Sequence, residues 1–192
     1  MTEIALASSS PYRRQLLERL GLPFQCQSPQ VDETPLAGES PTALAVRLSQ
    51  SKARALAEPF PDHHIIGSDQ VAECNGTILH KPGDFDAARQ QLQQQSGNTV
   101  SFHTGLCLYN SASGESQTDV VTTTVHFRVL SNEEIERYLH REQPYDCAGS
   151  FKVEQLGVSL FEKVESSDPT ALVGLPLIRL CEMLRQSGVR VL

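Results

Sequence analysis

No run of apolar residues in the 192-residue chain approaches the roughly 18 that a membrane-spanning helix requires. No C-x-x-C pair occurs among its five scattered cysteines, so neither a zinc knuckle nor a thioredoxin-like pair is readable. Their odd number predicts buried free thiols in a reducing cytoplasm. Walker A and G-x-G-x-x-G patterns are missing, which removes the P-loop and Rossmann readings. The six histidines show no H-E-x-x-H or other zinc spacing, so core or surface histidine is their default. Basic charge is also short. Lys and Arg number 16 against 23 for Asp and Glu, a net charge of −7. That disfavours a nucleic-acid role, and any polyanionic ligand must be met by a local basic cluster. The acidic start Met1-Thr2-Glu3, leading into the short run Ile4 to Ala7, predicts no secretion signal.

What is present fits a soluble globular protein: 39% hydrophobic and 20% charged residues. The length favours a single domain over residues 1–192. Strand and helix patterns alternate, which predicts an α/β fold. Ile4 to Ala7 reads as a short buried strand. Ser10-Pro11 is a good helix start, and Leu16, Leu17 and Leu20 mark one face of a helix over Pro11 to Leu20. A second helix is expected over Pro41 to Glu58, with Leu44, Leu48, Ala55 and Leu56 inward. His64 to Ser68 reads as a strand with Asp69 at its C-terminal end. Asn75-Gly76 marks a hairpin turn between Val71–Cys74 and Thr77–Leu79. Further helices are expected over Asp84 to Gln95, from a capping box at Ser131 to about His140, and over Pro176 to Gln186. Strands are expected over Thr99 to Tyr109, Glu115 to Arg128 and Gly157 to Glu162.

Three constellations carry chemistry. In Ser8-Ser9-Ser10-Pro11-Tyr12-Arg13-Arg14 a strand ends, hydroxyls follow and a helix begins with two arginines in its first turn. Helix N-termini offer free N–H donors and partial positive charge, and arginines placed there oppose the helix dipole unless an anion joins them. The acids Asp32, Glu33 and Asp69 form the second set; beside phosphates, carboxylates suggest Mg²⁺ or Mn²⁺. Lys52 and Lys81 are the third, each able to neutralise a phosphate chain. For each set the alternative is an ordinary solvated surface.

Together these segments resemble the Maf family of nucleoside triphosphate pyrophosphatases. The resemblance runs from Ala7 to about Leu180, through Leu6 to Arg14, Val31 to Pro35, Ile66 to Val71, Lys81-Pro82, Ser96 to Asn98, Thr104 to Leu106 and Leu172 to Pro176. Tyr12, Gln70 and Cys147 to Lys152 followed by Glu154 are similar to its YceF-type branch, associated with 7-methyl-GTP. The chain departs from that branch at Tyr12 for tryptophan, His80 for glycine and Gln155 for glycine. The resemblance implies an inosine-triphosphatase-like α/β fold, with an elongated mixed sheet in two lobes around a nucleotide cleft, and homodimers are common in the family. It implies cleavage between the α and β phosphates, with a divalent metal. Asp69 would activate the water and, with Glu33, hold the metal. Ser8, Ser10, Arg13, Arg14, Lys52 and Lys81 would bind the triphosphate, and Tyr12, Gln70 and Glu154 would read the base. The same chemistry on dTTP or UTP, and a nucleotide-binding cell-division regulator, are the alternatives.

Overall fold

The computed structural model describes residues 3–192; the start Met1-Thr2, read above as no secretion signal, lies outside the described residues. Seven strands and five α-helices form a mixed α/β structure among them. The strands are β1 (Glu3–Ala7), β2 (Gln25–Gln27), β3 (His63–Cys74), β4 (Thr77–Leu79), β5 (Thr99–Asn110), β6 (Ser116–Phe127) and β7 (Phe161–Glu165). The helices are α1 (Pro11–Glu18), α2 (Pro41–Arg54), α3 (Phe85–Gln95), α4 (Asn132–Glu142) and α5 (Leu177–Gln186). One sheet runs in the order β2-β1-β3-β5-β6-β7, with β4 paired to β3. β1 is parallel to β2 and β3, whereas the β3–β4 and β6–β7 pairs are antiparallel. The chain falls into two compact units: one takes the residues up to Gln70, His103–Val121 and Asp168–Leu192, the other Val71–Phe102 and Thr122–Ser167.

In the first unit, strand periodicity sorts the core into two faces. Leu6, Ile66 and Leu106 pack with Leu16 and Leu17 of α1 and Leu180 of α5. Their odd-numbered neighbours Ala5, Ala7, Ile65 and Cys107 pack with Ala53, Leu56 and Phe60. Most of the sheet residues on this second face are small, and α2 lies close against it. A Cβ on Gly67 would stand 2.1 Å from the Ser49 carbonyl oxygen and 2.7 Å from the Ala53 nitrogen; on Gly105 it would stand 2.2 Å from the Ala45 carbonyl oxygen. Helix backbone therefore rests directly on strand backbone at two adjacent strands.

Two expectations change here. The second helix ends at Arg54, not Glu58, and Ala55 is its exposed C-cap; Ala53, one residue earlier, completes the inward stripe with Leu44, Leu48 and Leu56. The strand expected to close at Ser68 continues to Cys74, so Asp69 lies in its interior. Its partner changes at that point. Parallel pairing with β1 stops at Gly67, and antiparallel pairing with β4 starts at Ala72. Asp69 thus sits just beyond the parallel segment, within a strand that the run Val71 to Cys74 prolongs.

The second unit holds the Asn75-Gly76 turn, with positive φ at both residues, as the hairpin requires. Asp84 caps α3 by accepting from the Ala87 N–H, and Ser131 and Glu134 complete the capping box of α4, which runs to Glu142. Phe102, Phe127, Phe151 and Phe161 form a chain of edge-to-face rings with centroids 4.8 to 5.7 Å apart. The segment read as a strand over Gly157 to Glu162 is a 3₁₀ turn over Leu156–Leu160 followed by β7. The turn wins because the Gly157 N–H donates to the Lys152 carbonyl at 3.1 Å, and a Cβ on Gly157 would lie 2.3 Å from that oxygen. The expectation of buried thiols holds for Cys74 and Cys107 but not for Cys26, which is exposed; all five are free.

Replacing Gly67 with alanine forces α2 off β3. Urea unfolding should show a loss of about 2–3 kcal/mol, and an unchanged midpoint would mean that the helix yields without cost.

Candidate active site

β1 ends at Ala7, and the chain turns at once, with the Ser8 N–H donating to the Leu6 carbonyl. The buried Ser8 hydroxyl accepts from the Ser10 N–H at 3.1 Å. Ser10 is the N-cap of α1 and accepts from the Arg13 N–H, with Pro11 in the first helical position. Both serines therefore shape the helix entrance that carries the arginines. Tyr12 is half-buried in the first turn.

The two arginines separate. Arg13 turns inward, and its Nε donates to the Gly174 carbonyl at 2.7 Å. Burial pushes its pKa down from the ordinary guanidinium value, while the charges of Asp69 and Glu33 push it up. Those two acids are thus the anions that face it. Arg14 is drawn away from this group: its side chain is 64% exposed and its Nε lies 3.1 Å from Glu18 one turn along the helix.

Asp69 shares the odd-numbered face of β3 with Gly67, and so faces α2. Lys52 lies between Ser49 and Ala53, the residues that meet Gly67, and its Nζ reaches the Asp69 Oδ1 at 2.5 Å. Both residues are only 8% exposed. The same Nζ is 2.7 Å from Oε1 of Glu33, whose side chain is 59% exposed. One ammonium therefore joins two carboxylates.

Arg47, which the sequence did not single out, holds the loop that bears Glu33. It donates to both carboxylate oxygens of Glu39, at 2.6 and 2.9 Å, and to the Thr34 carbonyl at 3.0 Å. Asp32, one residue from Glu33, accepts from the Thr34 N–H; hydrogen bonding to the Thr34 hydroxyl, and then to this N–H, lowers its pKa. Its role is to shape the turn. The N-cap at Ser40 and an arginine two turns into α2 were the available signals, but an isolated Arg has no readable partner in sequence.

On the even-numbered face of β3, Ser68 and Gln70 hold the segment 168–177. The Ser68 hydroxyl lies 2.7 Å from the Gly105 carbonyl and 3.0 Å from that of Gly174. Gln70 Nε2 meets the carbonyls of Ala171 and Leu172 and the Thr104 hydroxyl, at 3.0 to 3.1 Å. Carbonyl oxygens only accept, so the Gln70 amide nitrogen donates to this segment. Buried Asp168 caps the start of α5, accepting from the N–H groups of Thr170, Ile178 and Arg179. The Gly174 carbonyl that receives Arg13 is thereby fixed, at a backbone φ of 121°. These contacts explain the Leu172 to Pro176 motif: it supplies backbone acceptors to the site.

Lys81 and Glu154 belong to the other unit. Lys81 is exposed after β4. Glu154 is exposed on the turn that Gly157 closes onto Lys152, and the Lys152 N–H donates to the buried Tyr138 hydroxyl, whose pKa burial pushes up. Gln155, where the family pattern has glycine, has a φ of −130°, so this turn accepts a side chain there.

Asp69 and Glu33 offer two oxygen donors to a hard cation. Among the described residues no group of three or more His, Cys, Asp or Glu side chains could hold a metal alone. Mg²⁺ commonly takes one or two carboxylates and completes its shell with water and substrate phosphates, so this donor set fits.

A family model described as Maf-like protein matches residues 3–187. The chain is 59% identical over 191 residues to the 7-methyl-GTP pyrophosphatase of Pseudomonas savastanoi pv. phaseolicola and 57% identical to that of Pseudomonas syringae pv. tomato. Each match covers 100% of both chains. A crystal structure of the nucleoside-triphosphatase/dITP/XTP pyrophosphatase from Mycobacterium abscessus aligns over 97% of this chain and 98% of its own, with TM-score 0.49 and 17% identity.

The Arg47 clamp holds the Glu39 carboxyl down to about 2. A depressed carboxylate stabilises the fold above its unfolded pKa of about 4.5, and that contribution fades as pH falls from there toward 2. An NMR titration of Arg47→Ala should raise Glu39 toward 4.5, with the bond from the Leu36 N–H holding back part of the return. A Glu39 pKa still near 2 in that variant would assign the depression to another group.

Proposed function

The chain belongs to the Maf family, and from that premise we propose that it hydrolyses the α–β phosphate bond of 7-methyl-GTP, releasing 7-methyl-GMP and pyrophosphate. The observation that carries the chemistry is the buried Asp69 carboxylate, held by Lys52 beside Glu33 with the Arg13 guanidinium facing both. A carboxylate aimed at this cationic group suits water activation next to a bound phosphate chain better than it suits binding alone. The nucleotide is named from the two full-length relatives.

In this reading Arg13, fixed by Gly174, binds the phosphates through its remaining guanidinium N–H groups. Ser8 and Ser10 present the first turn of α1 to the same chain. Arg14 adds charge from the exposed side of that helix. Asp69 orients the attacking water and takes its proton. Lys52 and Lys81 offset the charge that gathers on the departing pyrophosphate. Asp69 and Glu33 would hold a Mg²⁺ or Mn²⁺ ion, which supplies charge neutralisation and acidifies water when bound. Glu154 would accept from the N1–H and N2–H₂ edge of guanine, and Tyr12 would meet the cationic face of the methylated base, a contact worth about 0.5–2 kcal/mol. Gln70 contributes to base choice through the 171–172 backbone that it holds. A homodimer and a cytoplasmic location complete the proposal; free thiols suit that compartment. Among the described residues no helix is long and apolar enough to cross a membrane.

Asp69→Asn, assayed with substrate and Mg²⁺ saturating, should lower kcat by about 10²–10⁴-fold. Turnover near that of the parent would remove Asp69 from the reaction. Across a nucleotide panel, pyrophosphate rather than orthophosphate should appear, fastest with 7-methyl-GTP. Glu154→Gln should lower the ratio of 7-methyl-GTP to UTP turnover by about tenfold, and an unchanged ratio would discard Glu154 as the base reader.

A further inference from the structure

Lys52 does more here than a phosphate-binding lysine needs. Its ammonium lies 2.5 Å from Asp69 Oδ1 and 2.7 Å from Glu33 Oε1. A Mg²⁺ ion shared by the same two oxygens would stand about 2.0–2.1 Å from each. Nζ is already paired with both oxygens, so an ion that shared that pair would have to displace the ammonium. The lysine is buried, and its α2 backbone is pinned against Gly67. With α2 seated on the sheet at Gly67, Nζ leaves the pair by rotation of its own side chain. Glu33 by contrast is mostly exposed, on a loop held by Arg47.

We propose that Lys52 is the resident cation of the nucleotide-free enzyme: it occupies the divalent-metal position between Asp69 and Glu33 and is released when a phosphate chain arrives to receive its ammonium. The inference rests on the metal-dependent reading above and concerns the order in which metal and nucleotide bind. With Lys52 in place, the carboxylate pair has one charge already neutralised and its shared position filled. Free enzyme therefore binds metal weakly. A nucleotide that draws Nζ onto its phosphates vacates that position and brings its own oxygen ligands, so metal and nucleotide each tighten the other by the same factor.

The test uses free enzyme and Mn²⁺, without nucleotide, so it is independent of which base the enzyme prefers. Mn²⁺ binding followed by electron paramagnetic resonance should be about tenfold or more tighter in Lys52→Met than in the parent. Lys52→Gln, which keeps a polar side chain, should tighten binding in the same direction, and thermal melting reports whether each variant is folded. The parent protein supplies a second readout that no substitution can spoil. Its Lys52 ammonium, shielded in a double ion pair, should give a slowly exchanging ¹⁵N–¹H signal that shifts when millimolar Mg²⁺ is added. Equal or weaker Mn²⁺ binding by folded variants, or an ammonium signal unmoved by Mg²⁺ at concentrations that bind, would overturn the proposal. If Mn²⁺ binds neither parent nor variants, the metal reading itself falls.

Discussion

The contact on which the site depends is between two backbones. At Gly67 and Gly105 the sheet has no side chains, and α2 settles onto it at Ser49, Ala53 and Ala45. Any Cβ would lift the helix by an ångström or more. Lys52 sits between Ser49 and Ala53, and Asp69 is two residues beyond Gly67 on the same strand face. The close approach therefore sets where the ammonium meets the carboxylate. A larger residue at either glycine would move Lys52 while leaving its identity intact.

This pairing is an expensive way to fill an interior. Charges moved out of water lose hydration that their mutual attraction restores only with good geometry, and apolar side chains of similar size would often serve stability better. Arg13 adds a second cation whose burial lowers its pKa. Arg13 and Lys52 offset the charges of Asp69 and Glu33, so this group is close to neutral by itself. A triphosphate brings more negative charge than the two cations carry. The surplus calls for a further cation, which is the electrostatic reason for the divalent ion proposed above. The net charge of −7 is no obstacle, because the balance that matters is local.

Much of this was legible in sequence. The caps at Ser10 and Ser131, the Asn75-Gly76 turn and the alternating apolar runs are local signals, and local hydrogen bonding settles them. Where the reading failed, a distant or competing partner decided. The strand bearing Asp69 runs on because β4 takes over from β1 as its neighbour, and Gly157 folds its segment into a turn against Lys152. The candidate list contained Lys52, Asp69 and Glu33 but not their mutual contact. That contact spans chain separations which no spacing rule covers. Arg14 looked equivalent to Arg13 in sequence; helical rotation sends one inward to Gly174 and the other outward to Glu18. Arg47 finds its partners in the loop before α2, and Asp168 finds its own up to eleven residues ahead, so neither has a readable spacing.

Residues 68 to 70 show how one strand can serve two tasks. Asp69 faces α2 and its cation, while Ser68 and Gln70 face the segment that ends at α5. A strand cannot rotate one side chain without its neighbours, so the position of the acid is coupled to the backbone carbonyls of Ala171, Leu172 and Gly174. Gly174 in turn orients Arg13. Acid and guanidinium are thus fixed through one strand and one loop. That loop is itself saturated with hydrogen bonds from Thr170 and to Asp168. Gln70 bears on the nucleotide through this frame. Its amide nitrogen donates to protein acceptors, so a change at this position also moves residues 171–172 and the strand they brace.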